Sequence, residues 1–282
     1  MKSAQLLNGK QIADKILGEA AAKIAILKKT GAFLTLATVQ VGNAKDALLY
    51  SQALDRLLKK VGIGHLPSVS SNGISGNELC EKIEALNEDP TVTGIMVFSP
   101  LPAALDTASV LNAVDQLKDV EGRTFMKSHF GVFSPTANAV LTLLKESGVE
   151  LAGKEAVVIG HSDLVGKPTA ILLLDEMATV TVCHAKTAGL KEKVSNADIL
   201  VSAAGKAALV KGEWIKPGAV VIDVGENFVN GKIIGDVEFD EAAKRAAFIS
   251  PVPGGVGPVT NVMLIQNLLR LHSLKSLKNG NN

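Results

Sequence analysis

The sequence predicts an α/β protein built from two α/β domains, and three observations carry that prediction. Short apolar, β-branched runs alternate with amphipathic helical stretches along the chain. Small aliphatic residues dominate, with aromatics at 4% and charged residues at 20% of the 282 residues, a balance that suits buried parallel strands. From Lys154 to Ala170 a strand, a glycine turn and a helix start follow one another, as in a nucleotide-binding βα unit. The length suits one large or two medium domains with room for a core.

Each element follows from local pattern. Gly9 to Lys29 carries Ile12, Ile16, Ala20 and Ile24 at every fourth position and reads as an amphipathic helix. Phe33 to Val41 is a strand closed by Gly42-Asn43, and Ala47 to Lys60 is a helix on Leu48, Leu49, Leu54, Leu57 and Leu58. Gly62 to Ser70 reads as a strand, and Gly76 to Asn87 as a helix on Leu79, Ile83 and Leu86. Gly94 to Val97 is a buried strand that runs into Phe98-Ser99-Pro100-Leu101-Pro102. This alternation argues for a parallel sheet with crossover helices.

Between Lys118 and Thr136 the period breaks into turn residues and charges, which points to an active-site loop and a domain crossing. Ala137 to Ser147 is then the linking helix. A second series has strands from Ala156, at Thr179–Cys183, Ile199–Ser202, Val220–Val224 and Phe248–Ser250. The chain closes with Pro251 to Thr260, a helix over Val262–Leu271 and a polar tail from Ser273 that is expected to fray.

Composition narrows the function. The formal net charge is +1 and no basic block stands out, so neither nucleic acid nor a membrane surface is the expected partner. Cys80 and Cys183 make neither a metal spacing nor a disulfide framework, which fits a reducing cytoplasm. The N-terminus has no signal-peptide core, and no apolar run approaches the roughly 18 residues of a membrane span. A soluble, cytoplasmic protein without a metal is the expectation.

The glycine turn favours two readings equally when taken alone. Gly160 permits a sharp exit from the strand, Ser162 or Asp163 can cap, and Pro168 suits a first helical turn. Free N–H groups there would attract a phosphate. Yet the stretch matches neither G-x-G-x-x-G nor the P-loop, so a purely structural turn fits as well. The next strand ends Val182-Cys183-His184-Ala185-Lys186-Thr187 with no carboxylate for a ribose 2′-hydroxyl. Lys186 and His161 supply positive charge, which favours NADP over NAD; the alternative is a solvated Lys186 and a His184 packed on the sheet edge. Gly205-Lys206 and Val224-Gly225-Glu226-Asn227 also follow strand ends, where open α/β sheets bind ligands; either fits a mere tight turn, but two on one edge favour a cofactor crevice. Tyr50, the only tyrosine, reads either as functional or as a buried tyrosine with a satisfied hydroxyl. Glu121 reads as functional or as an ordinary solvated carboxylate, and Phe98 as binding or packing.

Five motifs then occur in order: Gly94-Ile-Met-Val…Pro100-Leu-Pro102, Lys118-Asp-Val-Glu-Gly122, Gly160-His-Ser…Val165-Gly-Lys-Pro168, Ala219-Val-Val-Ile-Asp-Val-Gly225 and Pro251-Val-Pro-Gly-Gly-Val-Gly-Pro-Val-Thr260. Together they resemble the tetrahydrofolate dehydrogenase/cyclohydrolase (FolD-type) family over nearly the whole chain. The resemblance implies a folate-binding catalytic domain of residues 1–138 plus 262–282, to which the terminal helix returns. It implies a Rossmann-like NAD(P)-binding domain of residues 139–261, and a homodimer. It also implies hydride transfer from 5,10-methylenetetrahydrofolate to NAD(P)+, then hydrolysis of the methenyl product to 10-formyltetrahydrofolate.

Carried over by position, the resemblance makes Tyr50 and Glu121 catalytic. It assigns Tyr50, Phe98, Ser99, Pro100, Leu101, Glu121, Gly257 and Pro258 to the folate. It assigns Gly160, His161, Ser162, Val165, Gly166, Ala185, Lys186, Gly205, Gly225, Glu226 and Thr260 to the cofactor, with NADP expected and NAD as the other candidate.

Several of these positions depart from the family pattern. Tyr-x-x-x-Lys is Tyr50-Ser-Gln-Ala-Leu54, so a hydrocarbon replaces the amine on that helix face. Val-Gln-Leu-Pro is Val97-Phe98-Ser99-Pro100, and the second Asp of Asp-Val-Asp-Gly is Glu121, whose carboxylate moves by about 1.5 Å. Pro-Cys-Thr-Pro aligns with Ser134-Pro135-Thr136-Ala137; on the cofactor side, Arg is His161, Ser is Ala185 and Ile is Glu226. Hydride departure needs alignment, whereas hydrolysis needs a positioned acid or base worth about 10² to 10⁴ in rate. The expectation is a dehydrogenase whose cyclohydrolase activity is weak or lost. A dehydrogenase for another reduced pterin, and a non-catalytic paralogue that binds nucleotide or folate, are the alternatives.

Overall fold

The computed structural model describes residues 3–123 and 132–280. Residues 124–131 of the expected active-site loop lie outside them. The chain divides into two compact units, Met1–Lys15 with Ser134–Met263 and Ile16–Phe133 with Leu264–Asn282.

In the unit of residues 16–133, three parallel strands lie in the order β3-β2-β4. The central one, β2 (Thr35–Val41), is buried from Leu36 to Gln40, as a strand covered on both faces must be. Helix α1 (Gly9–Lys29) precedes it, and α2 (Lys45–Val61) leads to β3 (Gly64–Ser70). Helix α2 buries Leu54, Leu58 and Val61 and ends on Gly62, whose φ of 80° lets its N–H reach the carbonyls of Leu58 and Lys59. Helix α3 (Gly76–Glu88) starts in a Ser75/Glu78 capping box. Its Leu79 and Ile83 pack with Ala37, Val39, Ile95 and Val97 of the sheet, and with Val110 of α4 (Thr107–Asn112). The segment after α4 returns alongside β4 (Gly94–Val97): Ile95 N–H donates to Lys118 O at 2.6 Å. Asn267, on the last helix, donates to Val120 O at 2.9 Å and Phe133 O at 2.8 Å and so ties down both ends of the loop.

The other unit holds a six-stranded parallel sheet in the order β1-β11-β8-β7-β5-β6. Its strands are β1 (Gln5–Leu6), β5 (Glu155–Ile159), β6 (Thr179–Cys183), β7 (Ile199–Ser202), β8 (Val220–Asp223) and β11 (Phe248–Ile249). Strands β7 and β8 are buried at every position, the near-continuous apolar run of a strand covered on both faces. Around them lie α5 (Pro135–Glu146), α6 (Gly166–Asp175), α7 (Leu190–Asn196) and the short α8 (Phe239–Ala242). A small antiparallel hairpin, β9 (Asn227–Val229) and β10 (Lys232–Ile234), turns through Asn230 and Gly231, both at positive φ. The chain order reverses between β5 and β7, which is the switch point where open α/β sheets bind ligands.

Three features differ from the sequence reading. Strand β1 pairs with β11, Gln5 opposite Phe248, so residues 1–15 group with the six-stranded sheet; the sequence boundaries put them in the first domain. A two-residue strand is too short to show a period. Helix α9 (Val256–Gly280) begins six residues before Val262, because Gly257 and Pro258 interrupt the apolar pattern yet sit in a first turn that needs no N–H partner. It also continues to Gly280, through the stretch expected to fray. Helices α1 and α9 each pass from one unit into the other. Among the described residues no helix is long and apolar enough to cross a membrane, and no three His, Cys, Asp or Glu residues gather as a metal site.

Candidate active site

On the β5–β7 edge lies a cleft of about 490 Å³, lined by Gly160, His161, Ser162, His184, Thr187 and Lys206 among others. Its floor is the turn between β5 and α6. Gly160 sits at φ 113°, and a side chain there would overlap the Ala203 carbonyl. A side chain on Gly166 would overlap the carbonyl of Gly160, so the turn closes on itself only with glycine at both ends. Ser162 braces it: its Oγ accepts Val165 N–H at 3.2 Å and its carbonyl accepts Lys167 N–H at 3.1 Å. Val165, at the N-cap of α6, offers no side-chain acceptor, and Asp163 pairs with Lys167 at 2.6 Å. Helix α6 therefore starts without a side-chain cap, a positive helix end of the kind that attracts an anion.

The second wall is the loop after β6. Thr187 Oγ1 accepts His184 N–H at 2.8 Å, which shapes the tight turn through Ala185 and Lys186. The rings of His161 and His184 face each other at 5.4 Å, tilted by 58°. His184 is thus exposed beside the cleft rather than packed on the sheet edge. Ala185 lines the cleft, while Lys186 is exposed and not part of the lining; Lys206, after β7, is the lysine that lines it.

The third wall, the loop at 203–206, hangs on a residue that pattern reading missed. Asp236 is fully buried and its carboxylate accepts three successive backbone N–H groups: Ala204 at 2.7 Å, Gly205 at 3.1 Å and Lys206 at 2.8 Å. Asn227 Nδ2 adds a fourth bond at 2.9 Å. Beside it, Asp223 accepts N–H bonds from Gly225, Asp236 and Val237. Burial raises the Asp223 carboxyl to about 6, against the pull of those three bonds. Gly225 has no room for a side chain because Asp236 occupies it. Glu226 is exposed, and a side chain on Gly257 would meet its Oε1 at 2.9 Å. Thr260, one turn into α9, donates its hydroxyl to Val256 O at 3.3 Å.

The residues assigned to the folate from the first half of the chain gather at the carboxyl end of β4, in the unit of residues 16–133. Phe98 follows β4 and is nearly buried, and its ring meets Tyr50 edge-on at 5.6 Å. Tyr50 is 36% exposed, so it is not the buried tyrosine of the alternative reading, and Leu54, one helical turn on, is 2% exposed. Ser99 and Pro100 are exposed, whereas Leu101 packs into the core with Ile95 and Val97. Glu121 is not a solvated carboxylate: its side chain is 12% exposed and forked onto Arg123 at 3.2 and 3.3 Å. Burial raises its carboxyl above the usual carboxylate range, and Arg123 offsets that only in part. Gly257 and Pro258 belong to the other unit.

Residues 134–276 match the model of the tetrahydrofolate dehydrogenase/cyclohydrolase NAD(P)-binding domain, and residues 7–121 match that of the family's catalytic domain. The chain belongs to the tetrahydrofolate dehydrogenase/cyclohydrolase family. It is 46% identical to the "Bifunctional protein FolD" of Geotalea uraniireducens (strain Rf4), over 94% of this chain and 98% of that protein. Among solved structures, it is similar to the bifunctional FolD methylenetetrahydrofolate dehydrogenase/cyclohydrolase of Campylobacter jejuni. That match has a TM-score of 0.93 and 37% identity, over 97% of this chain and 100% of the other. The Trypanosoma brucei FolD, solved with NADP and an inhibitor, has a TM-score of 0.92 and 36% identity, over 98% and 99%.

Of the positions singled out in the sequence, Gly160 to Gly166 and Ala185 gather around the β5 turn and Tyr50, Phe98 to Leu101 and Glu121 at the end of β4, whereas Gly225 and Glu226 follow β8 and Gly257, Pro258 and Thr260 stand in the first turns of α9. Arg123, Asp223 and Asp236 were not found by pattern. The Gly235-Asp236 step after the hairpin was a visible but unspecific signal, and Arg123 stands just past the end of its motif.

Proposed function

We propose that the chain is a 5,10-methylenetetrahydrofolate dehydrogenase of one-carbon metabolism, using NADP and with cyclohydrolase activity weak or lost. The observation that carries the second half is Leu54. Where the family has a lysine, this helix turns a hydrocarbon into the core at 2% exposure. Tyr50 is then the remaining proton-bearing group of that pair.

The β5 edge fits a dinucleotide. A glycine-closed turn leads into an uncapped helix start, and no carboxylate stands after β6 to repel a 2′-phosphate. Gly160, Ser162, Val165 and Gly166 would hold the pyrophosphate side. His161, Ala185, Lys186 and Lys206 would flank the adenosine end, with Gly205, Gly225, Glu226 and Thr260 around the remaining cleft. Bound NADP supplies a hydride acceptor. The relative from Trypanosoma brucei, solved with that cofactor, supports the choice.

What the chain itself must do for hydride transfer is align and exclude water, since the substrate's ring nitrogen drives hydride departure. Phe98 and Tyr50 offer an apolar wall with one phenol, and Glu121 a buried carboxylate for the donor groups of the pterin. Ser99, Pro100, Leu101, Gly257 and Pro258 complete the set assigned to the folate. Hydrolysis asks for more, because a water must lose a proton to a placed base. The lysine that would serve is absent.

A second reading keeps the hydride chemistry but takes another reduced pterin; Phe98 and Glu121, both altered at the end of one strand, favour it. We assign the protein to a reducing cytoplasm, as its cysteine usage suggests, and as a homodimer, as the family resemblance implies. Following NADPH or NADH formation with 5,10-methylenetetrahydrofolate tests the dehydrogenase. Reduction of NADP+ at an ordinary enzymatic rate is expected. Binding of folate without reduction of either nucleotide would instead favour a non-catalytic paralogue.

A further inference from the structure

Glu121 occupies an expensive place for a charge. It is withdrawn from water, and Asp119, whose Oδ1 accepts the Glu121 N–H at 3.2 Å, adds a second negative charge nearby. A buried carboxylate with no partner would take up a proton and lose its value as an acceptor. Arg123 supplies the partner. Its Nε donates to Oε2 at 3.3 Å and its Nη2 to Oε1 at 3.2 Å. Gly122, at φ 68°, folds the chain between the two residues. The guanidinium is itself only 18% exposed, so this is not a solvent-screened surface pair of small worth.

We propose that Arg123 is a positioning residue for the substrate-side carboxylate, its planar fork offsetting part of the cost of burying that group and holding it in one orientation. The fork takes one lone pair from each oxygen and the Val97 N–H takes a third, which leaves one for an N–H donor of a bound reduced pterin. Lysine could supply the charge but not the fork. The proposal rests on the folate reading of this site, and its first test does not require turnover.

The groups that act on the Glu121 carboxyl are, after burial itself, Arg123, Asp119 and the Val97 N–H of β4. Removing Arg123 takes away the favourable charge and leaves the burial and Asp119. With glutamate carboxyls labelled with ¹³C and the Glu121 signal assigned by Glu121→Gln, its titration midpoint is expected to rise in Arg123→Leu. An opposite charge this close is worth about one unit or more. Arg123→Lys returns most of that shift. Coincident titrations of the wild type and Arg123→Leu, or no return with lysine, overturn the proposal. If the leucine variant does not fold, Arg123→Gln, polar and uncharged, replaces it. In the kinetic test the acid limb of kcat/KM for methylenetetrahydrofolate moves up with the midpoint, and the loss falls mainly on KM. A chain that turns over normally with an unmoved limb contradicts the role of Arg123 while leaving the dehydrogenase reading intact. A chain with the midpoint shift but no turnover contradicts the dehydrogenase reading and leaves the ion pair standing.

Discussion

At the scale of single residues, the turn after β5 depends on atoms that cannot be moved. Gly166 is the sharpest case, because a methyl there would overlap the backbone of Gly160 and His161, and backbone does not yield as a flexible side chain does. Gly166→Ala should displace the turn, weakening NADP affinity by about tenfold or more, roughly 1.4 kcal/mol, in an equilibrium titration. Unchanged affinity would mean that the turn does not hold the cofactor. Leu54 carries the opposite lesson. Putting an amine at a position 2% exposed costs stability on the order of 2 kcal/mol or more, so Leu54→Lys should lower the Tm. Cyclohydrolase activity gained despite that loss would identify the amine as the missing group. If it stays absent in a folded Leu54→Lys protein, Phe98 or Glu121 also matters. Tyr50 and Phe98 were legible as candidates, but their ring contact was not, since Phe98 lies far from helix α2 in sequence and only the fold joins them.

At the scale of elements, the loop after β7 owes its shape to one carboxylate. Asp236→Ala leaves the N–H groups of Ala204, Gly205 and Lys206 without their acceptor. The expected result is faster amide hydrogen exchange at these three positions and weaker nucleotide binding, with the sheet strands still protected. Equal exchange in both proteins would show that the loop holds itself. Asp223 gives this region a pH dependence. Its carboxyl ionises at 3.8 in the unfolded chain and at about 6 in the folded one, so folding takes up a proton between those values. The contribution of Asp223 to stability therefore falls as pH rises from about 4 to about 6, by about 3 kcal/mol in all, and is flat above. Comparing stability against pH for the wild type and Asp223→Asn should remove that slope, whatever the variant's absolute stability. An identical slope would place the titration elsewhere. Neither aspartate was legible as a partner of the loop: the motif around Asp223 was visible, but the hairpin that returns Asp236 to β7 has no strong period. The strands Ile199–Ser202 and Gly94–Val97, by contrast, were readable to the residue, because a buried parallel strand is a nearly uninterrupted apolar run, and Thr179–Cys183, an edge strand with only Cys183 buried, was readable from its β-branched threonines and valines.

At the scale of the whole molecule, periodicity and turn chemistry were enough to read two alternating β/α series and a parallel architecture. The path of the termini was not readable that way, because β1 is two residues long and α9 begins across a glycine and a proline. The site was half legible. The long motif from Pro251 to Thr260 pointed to the family, while the loss of the lysine at Leu54 showed only against the family's own pattern. The fold keeps the glycine-closed turn on one unit and alters the groups at the β4 end on the other, so the two activities should separate. The direct measurement is the fate of product in one reaction with 5,10-methylenetetrahydrofolate and NADP+, following NADPH, the methenyl cation and 10-formyltetrahydrofolate together. The expected result is that methenyl cation accumulates nearly in step with NADPH, and that 10-formyltetrahydrofolate appears far more slowly than NADPH, at or little above the rate of an enzyme-free control. Formation of 10-formyltetrahydrofolate in step with NADPH would contradict it.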